Sequence, residues 1–295
     1  MILVMGGTGF VGPKIVHALR AEDHPVRVTA RKPEREDQLR TWGCEVVPGD
    51  MTDPESLRRA VEGCDTVVHL VAILLGSPEA FERVMVQGTR DLVRAAKEAG
   101  ATRFVLMSAL GTGEQTKSLT PYFRAKWEEE QAVKGSGIDH TIFRPSFIFG
   151  PGGGMLPALL RLVRYSPLTP VLGTKRLQPI WIDDVASFFV KSLSTPGAVN
   201  GTFELGGPDQ VTWDELHAAI RRVLGKRRLA FRVPVGLAAA GARAVEILPP
   251  LRGARAGITM LEFGDNVTDI GPAVETFGIQ PISLEEQLRR GARGA

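Results

Sequence analysis

A glycine-rich segment directly after the first apolar residues constrains the fold of this 295-residue chain more than any other feature. The run Ile2–Met5 is wholly apolar, as expected of a strand buried on both faces of a parallel sheet. Glycines follow at positions 6, 9 and 12, and residues 14–20 then have a helical pattern. A strand, a tight glycine turn and a helix in this order predict the first unit of a doubly wound α/β sheet.

The first half of the chain alternates between short apolar runs and amphipathic segments. We predict further strands over 26–30, 44–47, 66–71, 103–107 and 140–149, and helices over 54–62, 85–100 and 122–134. After the glycine-rich stretch 150–154 the alternation loosens, although a helix is predicted over 212–224. We therefore expect an α/β Rossmann domain with a doubly wound parallel sheet over 1–150, completed by parts of 172–206, and a smaller, mixed α/β C-terminal lobe over 151–295.

Composition excludes several classes of protein. Apolar residues make up 43% of the chain, which is enough to bury a full core and rules out a disordered chain. No apolar run approaches the ~18 residues of a transmembrane helix, and the start lacks the basic segment of a cleaved signal peptide. Two cysteines, Cys44 and Cys64, cannot form a disulfide framework and favour a reducing cytoplasm. The 36 basic and 33 acidic residues are interspersed, so the net charge of +3 does not indicate binding to nucleic acid.

The spacing of the glycines has a specific physical use. The turn off the first strand needs backbone angles that are cheap only for glycine, and a side chain at Gly9 would block the close approach of a pyrophosphate. The N–H groups at the start of the following helix would then face that anion. The sequence therefore predicts a dinucleotide site, with loop contacts from Gly6, Thr8, Gly9, Phe10, Val11 and Gly12.

The end of the second predicted strand distinguishes between the two nicotinamide dinucleotides. An NAD-selective site usually carries an acidic residue here, which binds the ribose 2′-hydroxyl. This chain has Arg31 and Lys32 instead, with Arg35 just beyond, and a guanidinium suits a 2′-phosphate. We predict NADP(H) in preference to NAD(H); the alternative is that these cations form a solvated turn. Asp50, after the third strand, either contacts the adenine or caps a turn or helix.

Motifs along the whole chain resemble those of the extended or atypical short-chain dehydrogenases/reductases. They are GGTGFVG (6–12), VRVTARKPE (26–34), GD (49–50), VVHLVA (67–72), GTRDLVRAAKEAG (88–100), FVLMSALG (104–111), YFRAKWEEE (122–130), RPSFIFGPGG (144–153), PIWIDDVA (179–186) and ELGGPDQVTWDEL (204–216). They are most similar to the branch that contains the nucleotide-binding 39 kDa accessory subunit of respiratory complex I. The resemblance implies a seven-stranded Rossmann domain, a smaller lobe and an adenine-dinucleotide cofactor.

The same resemblance implies a catalytic pair. Tyr122 and Lys126 are four residues apart on a predicted helix, so their side chains share one face. In the family, the tyrosine exchanges a proton with the substrate oxygen, and the lysine lowers the tyrosine pKa and holds the nicotinamide ribose. Ser108, at the end of the fifth strand, is the candidate hydrogen-bond partner of the substrate oxygen, with Thr112 or Ser118 as substitutes.

The resemblance places the other cofactor contacts at strand ends. They are Asp50, Met51, Leu70, Val71, Ala72, Met107, Ser108, Tyr122, Lys126, Pro145, Ser146 and Phe147, in addition to Arg31 and Lys32. Two departures from the family pattern concern catalysis rather than cofactor binding. Met85 stands where many relatives carry an asparagine of the proton relay, and Ala109 and Leu110 stand where extended enzymes often place the serine.

Several residues and segments are compatible with more than one role. Arg144 either lies near the nicotinamide carboxamide or is an ion-pair partner, and Asp184 is expected to tether the second lobe by hydrogen bonds. The histidines have no metal-ligand spacing, so we expect no metal site and expect His69 to be buried and hydrogen-bonded. The Ala-rich segment 236–249, with basic residues up to 255, predicts either a basic amphipathic helix that contacts a membrane surface or protein complex, or a core-facing helix.

The sequence is therefore compatible with three functions. The first is an NADP(H)-dependent oxidoreductase that acts on a small carbonyl, alcohol or quinone-like substrate in the cytoplasm or at a membrane surface. The second is a non-catalytic NADPH-binding structural or sensor protein, because some members of the complex I branch bind NADPH without known turnover. The third is a nucleotide-sugar epimerase or reductase, for which the second lobe would supply charge from Arg161, Arg164, Lys175 and Arg176.

Overall fold

A parallel sheet of seven strands forms the centre of the computed structural model, which describes residues 1–166, 168–171, 175–227, 229–232 and 264–293. Its strands are β1 (Ile2–Met5), β2 (Val26–Ala30), β3 (Glu45–Pro48), β4 (Thr66–His69), β5 (Arg103–Met107), β6 (Asp139–Pro145) and β11 (Gly201–Leu205). Their order across the sheet is β11-β6-β5-β4-β1-β2-β3. Because β1 lies between β2 and β4, the winding reverses there, and such a switch point leaves a crevice at the carboxyl ends of the strands. The predicted doubly wound fold is confirmed.

Helices cover both faces of this sheet or pack on one another in the second half of the chain. They are α1 (Gly12–Ala21), α2 (Asp37–Thr41), α3 (Pro54–Val61), α4 (Pro78–Phe81), α5 (Gly88–Glu98), α6 (Pro121–Lys134), α7 (Leu156–Tyr165), α8 (Ile182–Lys191), α9 (Trp213–Val223), α10 (Gly271–Phe277) and α11 (Leu284–Arg293). Of these, α7, α9 and α11 pack on one another in the second half of the chain. Val67 and Val68 on β4 belong to different apolar clusters because successive strand side chains face opposite ways. The cluster of Val68 includes α1 and α8, and that of Val67 includes α3, α5 and α6.

The predicted strand over 140–149 is wrong in one respect, because the chain leaves the central sheet at Pro145. Proline has no N–H to continue the ladder. Ser146 N–H donates to Leu205 O, and the next residues form β7 (Ile148–Phe149), which pairs with β10 (Ile180–Trp181). Two further pairs join β8 (Leu168–Val171) to β13 (Leu229–Arg232) and β9 (Arg176–Leu177) to β12 (Val211–Thr212).

Two other predicted elements differ from the observed ones. The strand predicted over 66–71 ends at His69, after which Leu70 N–H still donates to Met5 O. The first residues of the helix predicted over 85–100 belong to a π-helical turn, Glu82–Gln87, and α5 begins after it. The hydrogen bonds of a π-helix are spaced differently from those of an α-helix, so a 3.6-residue periodicity does not predict this turn. The helix α5 ends at Glu98, and Gly100, just beyond it, has a φ of 78°.

The segment with the Ala-rich pattern, 236–249, and the basic residues up to 255 lie outside the described residues. Among the helices that the structure describes, none is both long and apolar enough to cross a membrane. The strand over 201–205, from the second half of the chain, pairs with β6 and so extends the central sheet. The division into two domains at residue 150 remains an interpretation.

Candidate functional site

The predicted cofactor contacts come from six separate segments that meet at one edge of the sheet. Each segment follows the carboxyl end of a parallel strand, and these ends all point to the same edge. The segments begin at Gly6, Arg31, Asp50, Leu70, Ser108 and Ser146. Leu70 is buried, whereas the neighbouring Val71 and Ala72 are half-buried. The structure therefore brings residues far apart in sequence to a single crevice.

The glycine loop packs most tightly at Gly7 and Gly12, tightly at Gly6, and less tightly at the exposed Gly9. Gly6 has a φ of 84°, and a Cβ atom there would lie 3.0 Å from Val71 N. A Cβ atom at Gly12 would lie 2.3 Å from Gly6 O, so the start of α1 reaches the loop only without a side chain. At Gly9 the nearest atom to a Cβ would be Gly6 O at 3.3 Å, and both Thr8 and Gly9 are exposed. The open side of the loop at Gly9 fits the approach of a pyrophosphate.

The start of α1 fits an anion as well. Val11 is the N-cap residue, and no side chain among the described residues caps this helix end. Pro13 has no N–H and Lys14 N–H donates to Val11 O at 3.1 Å, so the N–H of Gly12 is the one in this first turn that remains available to a negatively charged group. The ring of Phe10 packs against the loop 150–154, because a Cβ atom at Gly153 would lie 2.5 Å from Phe10 Cδ2.

The adenine end of the crevice is exposed and positively charged. Arg31 and Lys32 follow β2, both are exposed, and neither forms an ion pair within the part of the chain that the structure describes. Asp50 accepts hydrogen bonds from Thr52 N and Oγ1, both at 2.8 Å, and so caps a turn. The backbone hydrogen bond from Thr52 lowers the Asp50 pKa most, and the charge of Arg31 adds to it. Met51 is buried beneath α5.

The catalytic candidates lie on the first turns of α6, which Thr120 caps through a hydrogen bond to Phe123 N–H. Tyr122 is half-buried, and its ring meets Phe81 edge-on at a centroid distance of 6.4 Å. Lys126 lies one turn further on, is buried, and donates from Nζ to Met107 O at 2.9 Å. Burial raises the pKa of Tyr122, and the charge of Lys126 opposes that shift.

The hydroxyl group of Ser108 is hydrogen-bonded to Glu130, which forms a buried ion pair with Arg144. Its Oγ donates to Glu130 Oε1 at 2.6 Å, and Arg144 donates to both oxygens of Glu130, from Nε and Nη2, at 2.8 Å. A hydroxyl group has one proton, so in this arrangement Ser108 can accept but not donate a further hydrogen bond. Thr112 Oγ1 lies 3.4 Å from Ser108 Oγ. Arg144 is thus an ion-pair partner, and the role of Ser108 toward a substrate stays a prediction.

A buried polar chain adjoins Lys126 and was not predicted from the sequence. Lys126 Nζ lies 2.9 Å from Glu129 Oε2, and Thr89 Oγ1 donates to Glu129 Oε1 at 3.2 Å. His69 Nε2 lies 2.9 Å from Thr89 Oγ1, so one ring nitrogen of His69 is hydrogen-bonded as expected. Its Nδ1 has no hydrogen-bond partner among the described residues. The spacing of Glu129 from Lys126, one helical turn, is the sequence signal that could have indicated the pair.

The last predicted contacts lie where the chain leaves the central sheet. Pro145 and Ser146 are buried, Ser146 Oγ donates to Asn266 Oδ1 at 2.6 Å, and Phe147 packs against the Trp213 ring. Ser146 is thereby joined to a segment of the second half of the chain.

The second half of the chain is tethered by polar contacts. Asp184 accepts a hydrogen bond from Ile282 N–H at 3.0 Å, as expected of a tether. Arg176, one of the candidate charges for a nucleotide sugar, pairs with Asp265 at 2.9 Å. Arg164 donates to Ala292 O at 3.3 Å. These two cations thus have partners within the protein.

Comparison with known proteins gives matches over most of the chain. A family model described as NAD(P)H-binding matches residues 6–196. Ceramide reductase from Caulobacter vibrioides is 34% identical over 247 residues, which cover 82% of this chain and 76% of that protein. NAD(P)H azoreductase from Xenophilus azovorans is 28% identical over 230 residues, or 77% of this chain and 74% of that protein. The structure of a Citrobacter triphenylmethane reductase complexed with NADP(H) has the same fold, with a TM-score of 0.80, 20% identity and coverage of 98% and 99% of the two chains.

Proposed function

The chain belongs to the NAD(P)H-binding family, and we propose that it is an NADP(H)-dependent reductase of a carbonyl or quinone-like substrate. One observation carries the proposal: Tyr122 and Lys126 share a face of α6 beside the end of β5, at the same sheet edge as the glycine loop. The names of two relatives, a ceramide reductase and an azoreductase, support reductive chemistry.

Each part of the crevice has a defined task in this proposal. The backbone of the glycine loop and the start of α1 hold the pyrophosphate, and Lys126 holds the nicotinamide ribose. When bound, the nicotinamide supplies the hydride, which reduces the substrate carbon. Tyr122 donates its phenolic proton to the substrate oxygen, and the positive charge of Lys126 stabilises the phenolate that remains.

The preference for NADP(H) rests on the end of β2. A 2′-phosphate carries a charge that a 2′-hydroxyl lacks, and a guanidinium binds it through charge-assisted, bidentate hydrogen bonds. Arg31 and Lys32 are exposed, and neither has to break an ion pair with a described residue in order to bind a phosphate.

The proposal is tested with the purified protein, NADPH and a panel of aldehydes, ketones, quinones and long-chain keto-lipids. We expect NADPH oxidation with at least one member, together with tight NADPH binding. Tight binding without hydride transfer to any member would count against the reductase. Loss of transfer in Tyr122→Phe would assign the proton donor.

A second candidate function is NADPH binding without turnover. The proton of Ser108 is committed to Glu130, and Met85, which is fully buried, offers no polar group to a proton relay. If Tyr122→Phe preserved the biological role of the protein while Arg31→Ala abolished it, binding rather than reduction would be the function.

A further inference from the structure

We infer that Glu129 is a positioning residue that keeps Lys126 protonated and fixes its ammonium group in place, while Thr89 and His69 hold Glu129. The inference rests on the proposed function, because it concerns the same catalytic pair. It assigns a task to a carboxylate that contacts neither the substrate nor the cofactor in the proposed mechanism.

Lys126 and Glu129 are buried together with the two residues that hold Glu129. The side chains of Lys126, Glu129, Thr89 and His69 are each at most 1% exposed. A buried ammonium group without a counter-ion gives up its proton rather than bear the cost of desolvation. Glu129 Oε2 lies 2.9 Å from Lys126 Nζ, which is close enough to offset that cost.

The hydrogen bonds of Lys126 leave one proton for the cofactor or Tyr122. An ammonium group has three N–H donors. One donates to Met107 O at 2.9 Å, and Glu129 Oε2 lies within reach of a second. The hydrogen bond to Met107 O on β5 and the ion pair with Glu129 on α6 thus hold the ammonium group from two different elements.

The direction of the hydrogen bonds shows how Glu129 is held. Thr89 has a single hydroxyl proton, which it donates to Glu129 Oε1 at 3.2 Å. The bond between Thr89 Oγ1 and His69 Nε2, at 2.9 Å, must then be donated by the imidazole. His69 is therefore the Nε2–H tautomer. Burial lowers the pKa of His69 to about 3, so His69 stays neutral. It therefore does not compete with Lys126 as a counter-ion of Glu129.

The other groups that face Lys126 do not replace Glu129. On α6 these are Tyr122, which is neutral in its resting state, and Glu130, whose two oxygens already bind Arg144. On β4 the group is the neutral His69. Burial has the largest single effect and lowers the Lys126 pKa, but Glu129, with Tyr122 and Glu130, outweighs it, so that the net shift of the Lys126 pKa is upward.

The chain supplies a matched control next to Glu129. Glu128 is also a glutamate of α6, but it is partly exposed and pairs with Arg90 at 2.9 Å. Glu128→Gln removes the same charge from the same helix without touching Lys126. A general effect of helix charge would therefore appear in both variants.

The experiment follows the protonation of lysine ammonium groups by lysine-selective nitrogen NMR between about pH 6 and pH 9. The Lys126 signal is assigned by its loss in Lys126→Arg. We expect it to stay protonated throughout this range in the wild type and in Glu128→Gln, and to titrate within the range in Glu129→Gln. A Lys126 that stays protonated in Glu129→Gln would overturn the inference.

Two additional measurements remain if Glu129→Gln does not fold. Thr89→Val keeps the shape of the side chain but removes the hydroxyl that orients Glu129, so its Lys126 should titrate at a lower pH than in the wild type. An unchanged titration in Thr89→Val would contradict the role of Thr89. A wild-type Lys126 that loses its proton below about pH 8 would contradict the inference without any variant.

NADPH titration by fluorescence gives a second readout. In Glu129→Gln we expect NADPH affinity close to that of the wild type at low pH and about tenfold weaker at high pH, as Lys126 loses its charge. Neither readout needs a substrate. An inactive substrate panel with the expected Lys126 titration would thus reject only the reductase, and the reverse result would reject only the role of Glu129.

Discussion

The proposed adenine end and the proposed catalytic end of the crevice differ in how their charged side chains are stabilised. Arg31 and Lys32 are exposed and form no ion pair with a described residue. Lys126 and Glu130 are buried, and each has an oppositely charged partner at 3 Å or less. Solvated cations cost little to keep and remain available to a phosphate, whereas buried charges are expensive unless they are paired.

Because of this difference, we expect dinucleotide affinity and protein stability to depend on different residues. At the adenine end, substitutions should change which dinucleotide binds and leave the fold intact, because water already solvates the side chains. At the catalytic end, substitutions should also change the free energy of unfolding, since each removed charge leaves a buried partner behind. The predictions below test this separation, from the largest expected effect to the smallest.

Tyr122→Phe should have the largest effect, and on rate alone. We expect kcat to fall by about 10²- to 10⁴-fold, because the phenolic proton is lost while the ring still packs against Phe81. Single-turnover oxidation of NADPH with an active substrate measures this step. NADPH affinity and thermal stability serve as internal controls and should not change. Wild-type turnover in this variant would remove Tyr122 from the mechanism.

Glu130→Gln should destabilise the catalytic end. We expect the free energy of unfolding at neutral pH to fall by about 3 kcal/mol, because Arg144 keeps its charge, loses its nearer counter-ion and retains only Glu204, whose Oε1 lies 3.6 Å from Arg144 Nη1. Denaturant unfolding measures the change. In Glu286→Gln, which breaks an exposed pair with Arg290, the loss should be much smaller, because water solvates both groups.

The effect of Glu130→Gln should also depend on pH. Burial would raise the Glu130 pKa, but the hydrogen bonds from Arg144 and Ser108 hold it below the ordinary value of 4.5. A carboxylate with a lower pKa in the folded state stabilises the fold above its unfolded pKa, and this is lost as pH falls through the folded pKa. The difference between wild type and variant should therefore shrink in acid. A difference that stays constant down to the acid transition would contradict the ion pair.

Arg31→Ala should have the smallest effect and should separate the two nucleotides. Loss of charge-assisted hydrogen bonds to the 2′-phosphate should weaken NADPH binding by about tenfold or more, with NADH binding and thermal stability unchanged. Arg40→Ala, on α2, is the control because Arg40 is exposed and pairs with Asp37. Equal weakening of NADPH and NADH would show that Arg31 does not contact the 2′-phosphate.

The glycine loop was predicted from local spacing, whereas the catalytic pair was predicted from the family resemblance. The glycines at 6, 9 and 12 follow one strand directly, and Tyr122 and Lys126 are four residues apart on one helix. The ends of the parallel strands could be found from short apolar runs. Once the doubly wound order is inferred, it places these ends at one edge without further information.

The rest depends on packing between distant segments. Thr89 and His69 lie 40 and 60 positions before Glu129, and they meet it only because α5 and β4 pack beside α6. The partner of Ser108, Glu130, lies 22 residues away on the next helix. Neither the exit of the chain from the central sheet at Pro145 nor its new partner, β10, was predicted from the sequence.

Titration of the wild-type protein with NADPH and with NADH under identical conditions tests the central claim most directly: that the exposed cations after β2 bind a 2′-phosphate. The account predicts a Kd for NADPH that is lower than that for NADH by about tenfold or more, the equivalent of at least one charge-assisted hydrogen bond. Equal affinities, or tighter binding of NADH, would contradict it.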